Sequence, residues 1–214
     1  MHHSIKNIST IKEQLSNLNS NTEIIAVSKT FNKIDIVPLI EFGHVHFGEN
    51  KVQETQDKWP EIISEYKNLR LHMVGKLQTN KVKQAVKLFD YIHSVDSDKL
   101  AKKISIEQEK IDKYLKLFIQ INIGNENQKS GIFEYDLIDF YEYLVNELKV
   151  DVIGLMCIPP IDSEPNQVFK KMNDLNIKIG LKNLSMGMSS DYLEAINHGS
   201  TFIRIGSKIF GNRS

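Results

Sequence analysis

The sequence predicts a (β/α)₈ barrel, or TIM barrel, formed by a single domain with an extra N-terminal helix. Eight short apolar stretches typical of strands alternate, over 214 residues, with segments whose apolar residues recur at helical spacing. Several strand stretches are apolar on successive residues, as expected for parallel strands that are covered on both faces. Polar residues and glycines follow these stretches, at the strand ends where a barrel carries its site. A doubly wound open sheet is the alternative fold for the same alternation.

The first predicted element is an amphipathic helix that precedes the first strand. Its apolar stripe consists of Ile5, Ile8, Ile11, Leu15 and Leu18. The predicted strands are 24–28, 45–48, 71–75, 91–95, 117–123, 152–158, 183–187 and 202–206. The predicted helices between them are 33–42, 51–66, 80–89, 97–113, 135–149, 164–176 and 191–198. No linker interrupts this pattern, so residues 1–214 are predicted to form one domain.

The helix predicted for 135–149 has the clearest pattern of the set. Its stripe is formed by Leu137, Ile138, Tyr141, Leu144, Val145 and Leu148. These spacings place the six side chains on one face of a regular α-helix. The segment is therefore predicted to be a helix with these six residues on one stripe.

Charge and composition argue against several classes of function. Lys plus Arg and Asp plus Glu both number 27, so the formal charge is zero and favours neither nucleic acid nor an anionic membrane as a partner. Cys157 is the only cysteine, which excludes an internal disulfide and is typical of a reducing compartment. The sequence contains no apolar run of membrane-spanning length and no signal-peptide pattern. We expect a soluble cytoplasmic protein.

Two loops near the C-terminus are candidates for anion binding. "SMGMSSDYLEAI" places Ser189 and Ser190 before a predicted helix, and "RIGSKIFG" places Gly206 and Ser207 after the last strand. Free backbone N–H groups at a helix start attract anions. Loops after strands 7 and 8 are the usual phosphate site of such barrels. Each loop alone also fits an ordinary helix cap or turn, but the pair favours a phosphate site.

Arg204 stands between two isoleucines in a strand that is expected to be buried. A buried guanidinium without partners is very costly, so this side chain must meet an acceptor. One alternative is a structural ion pair across the barrel. The other is a ligand acceptor, such as a heteroaromatic nitrogen. The residues alone do not decide between them.

Lys29 ends the first predicted strand and shares a strand face with Ile25 and Val27. A lysine at a strand end is commonly a solvated terminus. In a barrel mouth beside a phosphate site, however, its amine could form a Schiff base with a carbonyl group. Both interpretations stay open at this point.

Histidines on three successive strands raise the question of a metal site. His44 and His46 are expected on one face of the second strand, and His72 and His93 come from the next two. A lone H-x-H pattern without further ligands at metal spacing is weak, so no metal site is predicted. Cys157 also lacks a catalytic histidine pattern, so we expect it to pack or to contact a ligand.

The strand ends, taken in order, resemble the signature blocks of the pyridoxal 5′-phosphate homeostasis proteins, the YggS/PROSC family. The resemblance extends from Ile24 to about Arg213. The blocks are "AVSKT", "FGENKVQE", "HMVGKLQTNK", "IHSVDS", "QINIGNENQKSGI", "GLMCIPP", "LSMGMSSDYLEAI" and "GSTFIRIGSKIFG".

The resemblance implies a barrel related to the N-terminal domain of alanine racemases, with pyridoxal phosphate (PLP) bound to Lys29 as an internal aldimine. It implies that Arg204 faces the pyridine nitrogen and that three residues contact the phosphate, namely Ser189, Gly206 and Ser207. It also suggests four further pocket residues: Asn50, His72, Met156 and Ser185. Lys76 and Cys157 depart from the usual family pattern.

The resemblance further implies a role in intracellular PLP homeostasis, without classical catalytic turnover. A guanidinium at the pyridine nitrogen disfavours ring protonation, which weakens the cofactor as an electron sink. Racemisation also needs a second acid or base on the opposite face, and none is evident in the sequence. We expect a monomer that passes PLP to apoenzymes. The alternatives are a PLP-dependent racemase or lyase and a class I aldolase-type Schiff-base enzyme.

Overall fold

A computed structural model, which describes residues 2–126 and 128–211, contains a closed barrel of eight parallel strands. The strands are β1 (Glu23–Val27), β2 (His46–Glu49), β3 (Arg70–Met73), β4 (Tyr91–Val95), β5 (Lys116–Ile121), β6 (Asp151–Cys157), β7 (Asn183–Ser185) and β8 (Phe202–Ile205). The barrel is closed because β1 pairs with both β2 and β8. The predicted TIM barrel is confirmed, and the open-sheet alternative is wrong.

Helices follow the strands in the predicted order. They are α1 (His3–Asn17), α2 (Lys33–Glu41), α3 (Val52–Glu65), α4 (Val82–Leu88), α5 (Asp98–Glu109), α6 (Leu137–Glu142), α7 (Pro165–Lys178), α8 (Tyr192–Asn197) and α9 (Ser207–Phe210). Two 3₁₀ turns, Thr79–Lys81 and Glu134–Asp136, precede α4 and α6. Within the described residues, no helix is both long and apolar enough to cross a membrane. The predicted domain end at Ser214 and the end of the resemblance at Arg213 lie outside the described residues.

The extra helix α1 compensates for the shortness of α9, the helix after the last strand. It packs against α9 and α2 through the buried side chains of Ile8, Ile11 and Leu15. Asn7 Nδ2 donates a hydrogen bond of 3.0 Å to the carbonyl of Ile209 in α9. Leu18, the last residue of the predicted stripe, caps the helix and is half-exposed. The rest of the stripe covers the barrel wall.

The segment 135–149 corrects one prediction. The structure continues α6 into a turn of π-helix, Tyr143–Glu147, and begins it with a 3₁₀ turn. Ile138 and Val145 are exposed, whereas Phe140 is buried. A π turn inserts one extra residue and therefore shifts the phase of the residues from its start onward, including Val145, whereas Ile138 lies before it in the regular part of α6. The regular spacing assumed from the sequence does not hold here.

Alternation along the strands divides the buried apolar side chains into two groups. The larger group lies between the sheet and the helices and includes Trp59 and Phe47. A smaller group fills the barrel interior: Ile25, Val27, Val74, Tyr91, Phe118, Met156 and Phe202. The side chains of Ile25 and Val27 on β1 point into the barrel. The chain leaves β1 at the C-terminal end of the barrel and continues there into Lys29. This end is called the mouth below.

Candidate functional site at the barrel mouth

Lys29 lies in the turn directly after β1 and is half-buried. The next residue, Thr30, has a φ of 69°, in the left-handed region that is strained for a residue with a side chain. Such strain persists only where surrounding contacts hold the backbone. The turn formed by residues 28–31, called the Lys29 turn below, therefore needs external support.

Helix α3 supplies that support. Lys58 Nζ donates to the carbonyl oxygens of Ser28 at 2.8 Å and Phe31 at 3.1 Å. The backbone N–H of Thr30 donates to the carboxylate of Glu54. Lys58 and Glu54 also form an ion pair of 3.1 Å one helical turn apart. These contacts fix the backbone on both sides of Lys29.

A buried carboxylate, Glu49, joins the Lys29 turn to β2 and α3. Its Oε1 accepts from Ser28 Oγ at 2.7 Å and Trp59 Nε1 at 2.9 Å, and it lies 2.8 Å from Lys58 Nζ. Burial raises the pKa of Glu49, and the Lys58 ammonium opposes that rise. Glu49, Glu54 and Lys58 were not among the residues predicted for the site. The four-residue spacing of Glu54 and Lys58 was the available signal.

Arg204 is buried and makes its hydrogen bonds to neutral oxygens. Nη1 donates to the carbonyl oxygen of Ser185 at 2.6 Å and to its hydroxyl at 2.7 Å, and Nη2 donates to the carbonyl of Cys157 at 2.8 Å. Burial lowers the pKa of Arg204, while Cys157 and Asp191 act in the opposite direction. No ion pair of Arg204 is found among the described residues. Its remaining N–H donors suit a ligand acceptor.

The two predicted anion-binding loops meet in space. The backbone N–H of Lys208 in α9 donates to Ser189 Oγ at 3.4 Å. Asp191 is the residue that caps α8, and Ser189 and Ser190 lie in the turn directly before this helix. Asp191 Oδ1 accepts from the backbone N–H of Met188 at 2.6 Å, which stabilises that turn.

The loop after β8 also contacts β1, its neighbour in the closed barrel. A side chain at Gly206 would place its Cβ 3.4 Å from the carbonyl oxygen of Val27, two residues before Lys29. The rings of Phe31 and Phe210 stack with centroids 4.8 Å apart. Barrel closure therefore brings the Lys29 turn next to Gly206 and Ser207, although they are far apart in the sequence.

The four further pocket residues do not share one location. Asn50 lines a mouth cavity of about 380 Å³ together with Lys76 and Lys129. Met156 is buried with the apolar side chains of the barrel interior. Ser185 contacts Arg204, as described above, and His72 is completely buried among other histidines. The structure places Asn50 at the mouth and His72 inside the barrel.

The barrel interior contains hydrogen-bonded imidazoles. Ser185 Oγ is 2.8 Å from His93 Nδ1, His93 Nε2 is 2.9 Å from His72 Nδ1, and His72 Nε2 is 2.9 Å from His46 Nδ1. Burial holds the pKa values of His72 and His93 well below the usual range, so both rings are neutral. His44 lies before β2, and its ring contacts the carbonyl oxygen of His46. No metal-binding cluster occurs within the described ranges.

Cys157 is buried, and burial raises the pKa of its thiol to about 12. A thiol with such a pKa is protonated at neutral pH and is a poor nucleophile. Its backbone carbonyl, in contrast, accepts a hydrogen bond from Arg204. The Cys157 side chain thus packs with the group between the sheet and the helices, and its backbone carbonyl orients the guanidinium.

Comparison with known proteins agrees with this architecture. Residues 3–214 match the alanine racemase N-terminal domain. The pyridoxal phosphate homeostasis proteins of Pasteurella multocida and Escherichia coli are both 36% identical to this chain. The first alignment covers 97% of this chain and 94% of the relative, and the second covers 89% and 85%.

Solved structures show the same likeness. PipY of Synechococcus elongatus, in a structure with PLP bound, superposes with a TM-score of 0.88 at 32% identity, over 97% of this chain and all (100%) of that chain. An alanine racemase of Clostridium difficile superposes with a TM-score of 0.77 at 15% identity, over 98% of this chain and 56% of that chain. The racemase likeness concerns the fold alone.

Proposed function

This chain belongs to the alanine racemase N-terminal domain family and is a homologue of the pyridoxal phosphate homeostasis proteins, and we propose that it binds PLP at the barrel mouth. Its role in this proposal is to hold the cofactor within intracellular vitamin B6 homeostasis. The observation that carries the proposal is the environment of Arg204, a buried guanidinium whose protein partners are all neutral oxygens. Its remaining donors fit an acceptor such as a ring nitrogen.

The residues around the mouth fit the chemical groups of PLP. The cofactor supplies an aldehyde that condenses with a primary amine, together with a pyridine nitrogen and a phosphate. Lys29 would hold the aldehyde carbon, and Arg204 would donate to the ring nitrogen. Ser189, Gly206 and Ser207 would bind the phosphate through hydroxyl and backbone N–H groups, at the place where the two loops meet. Asn50 would border the cofactor from the loop after β2.

We further propose that the site holds PLP without classical catalytic turnover. A guanidinium remains charged at neutral pH and donates hydrogen bonds only, so Arg204 does not protonate a ring nitrogen. The nearby His93 is neutral and points its Nδ1 at Ser185, so it supplies no second cation to the ring. We also propose that the protein is a cytoplasmic monomer and that it passes PLP to apoenzymes.

Absorbance and mass spectrometry test the proposal. The wild-type protein should develop visible absorbance with PLP, and reduction with borohydride should fix the cofactor mass on Lys29. Lys29→Ala should show neither signal, because the amine is lost. Lys76→Ala removes a different lysine at the same mouth and should behave like the wild type. A wild-type protein that stays colourless, or a Lys29→Ala protein that is labelled equally, would refute the proposal.

The catalytic alternative, a PLP-dependent racemase or lyase, has its own test. Free amino acids are incubated in D₂O with the PLP-loaded protein and, separately, with PLP alone. Holding without turnover predicts no more deuterium incorporation at the α-carbon with the protein than with PLP alone. Faster incorporation with the protein would establish a racemase-type or lyase-type activity.

A further inference from the structure

The barrel interior contains a continuous hydrogen-bonded path between its two ends. His46, His72 and His93, together with Ser185, are called the histidine chain below. His46 is the first residue of β2, at the N-terminal end of the barrel, and Ser185 is the last residue of β7, at the mouth. Successive polar atoms along the chain are 2.8–2.9 Å apart. Aromatic rings surround the histidine chain, including those of Phe118 and Phe202.

Both ends of the histidine chain have charged neighbours. At the mouth, Arg204 Nη1 donates to Ser185 Oγ at 2.7 Å. At the opposite end, His46 Nε2 lies 3.8 Å from Glu23 Oε2, and the Glu23 side chain is 57% exposed. The chain therefore starts beside a buried cation and ends beside a carboxylate in contact with solvent.

These two ends determine the direction of the hydrogen bonds. Ser185 Oγ accepts from Arg204, so its own hydrogen is available for His93 Nδ1. His93 Nε2–H then donates to His72 Nδ1, and His72 Nε2–H donates to His46 Nδ1. In this direction His46 carries its proton on Nε2, the nitrogen that lies 3.8 Å from Glu23 Oε2, which is the favourable arrangement of charge. The reverse direction would aim a lone pair of His46 at that carboxylate.

We propose that the histidine chain is a proton relay that connects the Arg204 end of the mouth site with solvent at the N-terminal end of the barrel. A neutral imidazole can accept a proton at one ring nitrogen while it releases another proton from the second. The proposal depends on the proposed function only in naming the mouth as the place where a ligand would be bound.

The proton balance of the relay is simple. A proton from water, or from an acidic N–H or O–H group of a ligand beside Arg204, enters at Ser185 Oγ. The hydroxyl proton moves to His93 Nδ1, and the Nε2 protons of His93 and His72 each move one ring further. The Nε2 proton of His46 leaves to the Glu23 carboxylate or to water. One proton enters and one leaves, and every ring is neutral before and after. The three rings end protonated at Nδ1, so each must return to the Nε2 form before a second proton can follow in the same direction.

The groups around His46 are mixed in charge. Burial lowers the pKa of His46, and Arg70 and Lys116 act in the same direction. Glu23 and Asp90 oppose that shift. His46 is thus neutral at physiological pH, as the relay requires. It also lies beside Glu23, whose side chain is in contact with solvent.

The tautomers provide the first test. In the full chain without cofactor, labelled with ¹⁵N-histidine, NMR should show His46, His72 and His93 as neutral rings protonated at Nε2. A ring protonated at Nδ1, or a charged His72 at pH 7, would overturn the proposal.

Proton exchange provides the second test, with His72→Gln as the main variant. Glutamine can accept from His93 and donate to His46, so it preserves the hydrogen bonds, but an amide does not pass a proton on. A positioned proton-transfer group typically accelerates transfer about a hundredfold or more, so solvent exchange of the His93 Nε2 proton should slow by about that factor. A purely structural role predicts unchanged exchange. If His72→Gln does not fold, the same measurement on His46→Gln decides.

His44→Gln is the matched control, because His44 is buried beside the chain but is not part of it. In this variant the His93 Nε2 proton should exchange with solvent at the wild-type rate. Equal rates in the wild type and His72→Gln, or equal slowing in His44→Gln, would overturn the relay. Because the measurement uses cofactor-free protein, failure of the relay leaves PLP binding untouched, and failure of PLP binding leaves the exchange result valid.

Discussion

The burial of Arg204 was predictable from the sequence, but its hydrogen-bond partners were not. Its position between two isoleucines predicted burial and a need for acceptors, and the structure confirms the burial. The acceptors are two backbone carbonyls and one hydroxyl, contributed by β6 and β7. No sequence spacing links these residues, because their contact depends on which strands are neighbours in the barrel.

Arg204→Lys should destabilise the protein even though it keeps the charge. An ammonium cannot reproduce the planar fork that reaches both Ser185 and Cys157. Hydrogen bonds to charged groups contribute about 1.5–3 kcal/mol each, so we expect the free energy of unfolding to fall by roughly 3 kcal/mol. Urea unfolding measures this change. Arg70→Lys, at an exposed position in β3, is the control, and a loss of similar size there would contradict the explanation.

At the scale of the element, helices in this protein do more than cover the sheet. Helix α3 holds the strained Lys29 turn through Lys58 and Glu54, and α1 occupies space that the four-residue α9 leaves open. Helix α5 shows a simpler effect. Its buried Glu107 accepts hydrogen bonds of 2.8 Å from both Lys103 and Lys110.

Glu107 should make the stability of the protein depend on acidic pH. The hydrogen bonds from Lys103 and Lys110 lower the pKa of Glu107 from 4.5 to about 2. A carboxylate with a lowered pKa stabilises the fold above its unfolded-state pKa, and this contribution is lost as the pH falls through the folded-state value.

Glu107→Gln should therefore be less stable than the wild type at pH 7, and the difference should shrink between pH 4.5 and about 2. Urea unfolding across this range measures it. Glu109→Gln, an exposed position on the same helix, should show a smaller effect. A Glu107→Gln deficit that is constant with pH would refute the assignment.

On the scale of the whole molecule, closure of the barrel links every strand to two neighbours. We propose that the chain unfolds as one cooperative domain, including α1. Trp59, the only tryptophan, is buried on α3 and reports on a part of the barrel wall separate from α1. Far-ultraviolet circular dichroism reports on all helices.

Ile8→Ala tests this cooperativity. Removing a fully buried isoleucine side chain costs about 2–5 kcal/mol, so both signals should shift together to lower urea concentration. Leu18→Ala, at a half-exposed position, should change both signals little. A shift in circular dichroism with an unchanged Trp59 transition would show that α1 unfolds independently.

Local patterns were enough for the barrel, the element order and the positions of Lys29 and Arg204, because strand and helix periodicity and strand ends are properties of neighbouring residues. They failed where the backbone departed from regular geometry. A π turn follows α6 within the helix predicted for 135–149, and Ile138 and Val145 of its stripe are exposed.

Contacts between distant segments were decided by the tertiary structure alone. Closure places β8 beside β1, which brings Gly206 against Val27 near the Lys29 turn. The same inward alternation aligns His46, His72 and His93 into one hydrogen-bonded chain, where the sequence suggested only a weak metal pattern. The physical reason is register: which side chains meet across a barrel depends on strand stagger, and stagger is set by the packing of the complete sheet.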